Sequence, residues 1–240
     1  MRRNTSRVQP ALFVAAIAAS IVTATLVAAP ATSSSSQTAS DTVSRFLESG
    51  QPPLKAYRAR RHLEASSRGG KMKAQLDAQT TLLPDGTFSF EVLNESGSNL
   101  LRQRILRAAL LEEQGNHNSA KLAESDFTRE NYDFLVQEST RDGDLVRIGL
   151  APRRKSQLLI DGAAFVRRDD ADLVRIQGVL SKRPSFWTRR VEITRHYARV
   201  DGVRVPIAVR LDADVLLVGD SAFDMTYQYL AINGRPIATN

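Results

Sequence analysis

Few residues in this 240-residue chain combine the type and spacing that chemistry requires. The three histidines, His62, His117 and His196, stand far apart. His62 lies on the polar side of an alternating stretch, His117 just past a helical pattern, and His196 among charged neighbours, and no two share metal-ligand spacing. Each therefore reads as a solvated or satisfied side chain, and no metal site is expected. Asp169, Asp170 and Asp172 imitate calcium-loop spacing, but the glycine and distal glutamate of such a loop are missing, which leaves a polar turn. Asp212 and Asp214 alternate along one stretch and face one side. Acid–base work would need them to share a cleft in oppositely tuned surroundings, and the sequence supplies no such contrast. With no G-x-S-x-G, phosphate loop or dinucleotide fingerprint either, the chain reads as a non-enzyme with no cofactor.

Cysteine is absent, which removes disulfides, thiol nucleophiles, Cys-based metal centres and a lipid-modified cysteine anchor. Lys and Arg outnumber Asp and Glu by 33 to 26. Three of the positive charges, Arg2, Arg3 and Arg7, precede an uncharged apolar run from Ala11 to Ala29, and Ala29 and Ala31 place small residues where a signal peptidase reads. Basic, apolar, small is the order of a secretory signal. Without that segment 30 basic residues face 26 acidic ones, too weak an excess to argue for nucleic acid, and no RNA- or DNA-binding motif accompanies it. At 19 residues the apolar run also approaches the roughly 20 of a spanning helix, so an uncleaved anchor formed by residues 11–29 stays open beside cleavage after Ala31. Both alternatives put the folded part outside the cytoplasmic membrane. Residues 32–40 read as a Ser/Thr-rich linker and 41–240 as one domain.

That domain is mainly β. Val43, Phe46 and Leu47 predict a short helix from Asp41, its cap, to Ser49. From Tyr57 the period becomes two: Tyr57, Ala59, Leu63 and Ala65 oppose Arg58, Arg60, His62 and Glu64. Two further alternating stretches follow the turns at Gly69-Gly70 and Pro84-Asp85-Gly86, the second carrying Phe88, Phe90 and Val92; together they form an antiparallel meander. Between Asn99 and His117 the spacing of Leu101, Ile105, Ala108 and Ala109 predicts a helix edged by Arg102, Arg104 and Arg107, with a further turn near Ser119–Glu124. Strands resume at Tyr132 and run to Tyr229, with turns expected at Arg141-Asp142-Gly143, Asp161-Gly162, Asp169-Asp170 and Asp201-Gly202. Pro206, inside the longest alternation, predicts an edge strand or a bulge. Ten or eleven hairpin-ordered strands with one apolar face predict a strongly curved sheet or incomplete barrel whose concave face the helices cover.

The order of export signal, helix, three-strand meander, inserted helix and long strand run resembles the periplasmic lipoprotein carriers of the LolA and LolB type and the related sensor RseB. The segments Leu150-Ala151-Pro152 through Val166, Ser185-Phe186-Trp187, Tyr197 and Val205-Pro206 carry the likeness in the second half. The resemblance implies helices acting as a lid over an apolar cavity that accepts acyl chains, with an arginine from the strands helping to close it. Phe88, Phe90, Leu101, Ile105 and Trp187 are then the candidate lining, although packing alone also suits Trp187. Arg102, Arg104 and Arg107 stand either near lipid headgroups or in solvent. The implied function is a monomeric carrier or sensor of a lipid or lipoprotein acyl chain; the alternative is an envelope module that docks a protein partner without lipid.

Overall fold

A computed structural model describes residues 34–48, 52–116, 124–137, 144–183, 188–215 and 219–238. Helix α1 (Ser34–Glu48) is followed by three strands, β1 (Tyr57–Ser67), β2 (Met72–Leu82) and β3 (Phe88–Gly97). Helix α2 (Asn99–Leu101), one π-helical turn (Arg102–Leu106) and helix α3 (Arg107–Asn116) then run on as a single rod. The remaining strands are β4 (Tyr132–Gln137), β5 (Leu145–Pro152), β6 (Ile160–Arg167), β7 (Leu173–Leu180), β8 (Thr188–Val200), β9 (Val203–Val215), β10 (Gly219–Ile232) and the short β11 (Arg235–Pro236). Among these described residues no helix is long and apolar enough to cross a membrane.

All strands join one antiparallel sheet in the order β3-β2-β1-β10-β9-β8-β7-β6-β5-β4, with β11 beside β10. Only β1 and β10 are neighbours without being consecutive along this path. The sheet does not close: β3 and β4 remain its two edges, and the α2–α3 rod connects onward from β3. Bulges interrupt the register at Arg58/Ala59, Asp77/Ala78, Phe165/Val166 and His196/Tyr197, and each adds twist and bends its strand. Pro206 lies at the last of these, opposite Tyr197, on a strand with neighbours on both sides. It thus marks a bulge, and it lies beyond the last β9–β10 pair, Ala208 with Thr226, where that side of β9 is an unpaired edge among the described residues.

Register explains why one face is apolar. A single row of partners crosses nine strands: Leu76, Leu63, Met225, Val209, Arg195, Ile176, Ala164, Ile148 and Val136. Because directly opposed residues point the same way, this row gathers the apolar halves of nine alternating stretches onto one side. The helices lie there. Leu101, Ile105, Leu106 and Leu110 pack on Leu63, Leu76, Ala78 and Phe223, while Val43 and Phe46 of α1 pack on Tyr132, Ile148, Val166 and Ile176. Leu211 touches both groups, so the two helices share one continuous core.

Two expectations need correction. Helix α1 starts at Ser34, not at a capping Asp41, and takes in most of the stretch read as linker. Serine, glutamine, threonine and alanine cost little in a helix once the following turns are anchored, here by burial of Val43 and Phe46. Asp161-Gly162 is not a turn, because β6 runs straight through it with Gly162 opposite Gly178. A Cβ on Gly162 would stand 2.2 Å from the Gln177 carbonyl oxygen, and one on Gly178 would stand 2.4 Å from that of Asp161. The glycines permit close strand approach instead of chain reversal. Trp187, His117, the turn near residue 119 and the cleavage residues Ala29 and Ala31 lie outside the described residues.

Candidate functional site

Alternation puts Arg61 on the same side of β1 as Tyr57, Ala59, Leu63 and Ala65, directly under the α2–α3 rod. Its side chain is 1% exposed, and it meets Glu113 on the buried side of α3. The contact is a fork: Arg61 Nη1 donates to Glu113 Oε2 at 2.6 Å and Nη2 donates to Oε1 at 2.9 Å. Nη2 also donates to the Tyr57 hydroxyl, which in turn reaches Glu113 Oε1 at 3.4 Å. Aromatic rings complete the cage, with the guanidinium carbon 4.6 Å from the centre of Tyr227, 5.2 Å from Phe88 and 5.7 Å from Tyr57. Burial alone would lower the Arg61 pKa, but Glu113 and the surrounding phenols outweigh it and hold the group firmly charged. Burial pushes Tyr227 up to about 12 and Tyr57 higher still, so both stay neutral hydroxyls.

Leu101, Ile105, Leu106 and Leu110 face the sheet, and Leu100 and Leu111 face outward at 55% exposure each. Beyond the buried pair, Arg102 and Arg107 both reach Glu95 of β3, at 2.6 and 2.9 Å, and hold its carboxyl below the usual range, Arg107 foremost. Two of the three helix arginines thus serve a strand carboxylate, while Arg104 is exposed. The π turn over Arg102–Leu106 breaks the regular ladder at the middle of the rod, and such single-turn bulges are frequent at functional sites.

Of the residues singled out as lining, Phe88, Leu101 and Ile105 are buried and Phe90 is half-buried, and Phe90 packs on both the rod's cluster and that of Tyr57 and Tyr229. They form the floor and underside of the rod.

The remaining candidates are dispersed. On the outer face His62 donates from Nδ1 to Asp77 at 2.7 Å and from Nε2 to Glu64 at 3.1 Å, and these contacts, Asp77 first, raise its pKa. His196 is lowered by burial and by Arg175. Among the described residues no three His, Asp or Glu side chains cluster as a metal site. Asp172 proves to be a buried corner post that accepts from Arg167, Arg199 and Arg204 at 3.0, 3.2 and 2.7 Å. Asp212 and Asp214 do line a common cleft, open and about 470 Å³ in volume, with Arg190, Glu192 and Asp220. Both Asp212 oxygens, however, are gripped by Arg210 at 2.8 Å.

A further carboxyl is tuned by burial, away from these groups. Asp126, between α3 and β4, has Oδ1 buried without a hydrogen-bond partner among the described residues, and burial pushes its pKa up to about 6. A raised folded value means that the group's favourable contribution is complete below the ordinary 3.8 and is lost as pH rises through 6. Asp126→Asn is therefore expected to raise the melting temperature near neutral pH, with the gain shrinking toward zero below about pH 4. Thermal scans of both proteins across that range measure it; a difference independent of pH would contradict the assignment.

No family model matches the chain, and no curated protein matches it. Solved structures do show similarity. A LolA superfamily protein from Nitrosomonas europaea aligns with 83% of this chain and 94% of its own at 11% identity and a TM-score of 0.39. A domain assigned to the outer membrane lipoprotein-sorting proteins, from Vibrio parahaemolyticus, aligns over 80% and 92% at 9% identity and 0.39. A chain of the Pseudomonas aeruginosa MucA/MucB complex aligns over 83% and 99% at 12% identity and 0.23.

Proposed function

We propose that this protein is a non-enzymatic carrier or sensor that works outside the cytoplasmic membrane and accepts an acyl chain of a lipid or lipoprotein between the sheet and the α2–α3 rod. The observation that carries the reading is how that rod is held: four apolar side chains, one buried ion pair, Arg61–Glu113, and the bridges from Arg102 and Arg107 to Glu95 keep a helix with a π turn over an apolar sheet face. A hydrocarbon chain gains about 0.8 kcal/mol per buried CH₂, so a ten-carbon stretch can replace the rod's leucine contacts on the same surface without any catalytic group. Arg61 is the strand arginine that locks the lid. Export rests on residues 1–31, and tethering by residues 11–29 stays the alternative to release as a monomer.

Native mass spectrometry of protein extracted gently from the cell envelope, followed by titration with a fluorescent fatty acid, tests the proposal. Co-purified lipid, or saturable probe binding with one site per chain, supports it; neither being found overturns it, as does a turnover that Asp212→Asn abolishes.

A second reading, docking of an envelope protein, is favoured by the two sheet edges. β3 and β4 each offer an unpaired strand flank among the described residues, with Leu93 51% and Leu135 64% exposed, and an extended peptide can add to such an edge. Crosslinked recovery of a single protein without lipid supports this reading against the first.

A further inference from the structure

The apolar row that crosses nine strands contains one cation. Arg195 of β8 stands in register between Ile176 and Val209 and is 3% exposed. Its Nη1 donates to the Tyr197 hydroxyl at 3.2 Å. Nε and Nη2 have no hydrogen-bond partner, and no carboxylate pairs with the group among the described residues. Arg61, on the same face, shows what a buried guanidinium ordinarily needs, a carboxylate that accepts both ends of the fork.

The two unsatisfied nitrogens are chemically informative. Nε–H and Nη2–H share one edge of the guanidinium plane, the edge whose parallel donors match the two oxygens of a carboxylate or phosphate. Buried charged donors without acceptors are destabilising, and a methionine of similar reach would fit this row better. Packing therefore gives no reason for arginine here. The surroundings add polar capacity: the hydroxyls of Tyr132 and Tyr227 lie within electrostatic reach of Arg195, and that of Tyr227 is itself buried without a partner among the described residues.

We infer that Arg195 binds the anionic end of an amphiphile, a carboxylate or phosphate whose hydrocarbon chain lies along the apolar row. The inference rests on the acyl-binding reading and deepens it by fixing the charge of the ligand's head. An acyl ester or amide offers no such charge, so free fatty acids and alkyl phosphates are separated from neutral acyl groups.

Delipidated protein from the cell envelope is titrated by calorimetry with decanoate, decyl phosphate and 1-decanol. The wild type is expected to bind at least one of the anions about ten- to hundredfold tighter than the alcohol, the range of a hydrogen bond to a charged group. The stronger anion identifies the head. Arg195→Met is expected to bind decanol as the wild type does, to lose the preference, and to melt no earlier without ligand. Should it melt earlier, the comparison is read from Arg195→Lys, which keeps the charge without the fork and is expected to show an intermediate preference. An undiminished preference in the folded Met variant or in the Lys variant overturns the inference, as does a wild type that binds decanol but does not favour either anion. Failure to bind any of the three overturns the acyl-binding reading itself.

Discussion

Glu113→Ala is expected to destabilise the protein by about 3–5 kcal/mol, the cost of leaving one partner of a buried ion pair alone. Arg61 cannot escape its position: the side chain is 1% exposed and enclosed by Tyr57, Phe88 and Tyr227. Once the carboxylate is gone, the remaining options are a buried lone guanidinium or a displaced rod that admits water. The second is cheaper, because the rod's outer side is already solvated and its middle turn is irregular. Loss is therefore expected to be local first, with amide protection falling across residues 99–116 while β5 to β7 keep theirs. On the proposed acyl-binding reading, fatty-acid probe binding quickens in the same variant, because the rod no longer covers the apolar face. The pair can be tested as a unit by Arg61→Met with Glu113→Leu, which replaces two charges by apolar groups of similar size and is expected to recover most of the stability. Urea unfolding and hydrogen exchange read both effects. A Glu113→Ala protein as stable as the wild type would show that the ion pair does not hold the rod.

Most of the sheet was legible because it obeys a single rule. Alternation over Tyr57–Ser67, Met72–Leu82 and Val203–Val215 sorts residues into two faces, and register then stacks the apolar halves into a row. The same rule held the best clue to the site. Arg61 and Arg195 both fall on the apolar parity of their strands, beside Leu63 and Ile193, yet a count of charged against apolar residues hides two exceptions among so many solvated arginines. Glu113 is concealed similarly, at helical spacing from Leu106 and Leu110 on the side that faces the sheet. No local pattern pairs positions 61 and 113, because that contact depends on which strand the rod folds back over. Gly162 misled for a different reason: Asp-Gly is a good turn former, and only the presence of Gly178 across the ladder makes it a strand. The Asp172 corner likewise depends on β8 and β9 returning Arg199 and Arg204 to a turn made by β6 and β7.

Phe46→Ala tests the other helix. Removing a buried phenylalanine ring costs about 3–5 kcal/mol when the surroundings cannot close over the space. Phe46 is 2% exposed and lies 6.0 Å from the Phe127 ring and 6.3 Å from that of Phe134. Around it the rings of Phe127, Tyr132 and Phe134 are mutually packed, and Tyr132 is fixed further by accepting a hydrogen bond from the Ile160 amide at 3.0 Å. The sheet side of the space is thus rigid, whereas α1 is a single helix docked chiefly through Val43, Phe46 and Leu47. Release of α1 then limits the loss, which places the expected value at the lower end, about 3 kcal/mol, with exchange protection lost in residues 34–48 before any strand. Arg45→Ala is the control, since among the described residues its contact is one exposed hydrogen bond to the Asp169 carbonyl and removing it is expected to cost less than about 1 kcal/mol. Equal destabilisation by the two variants in urea would mean that α1 is not docked through Phe46, and that the β4–β8 half of the apolar face is covered by something other than this ring.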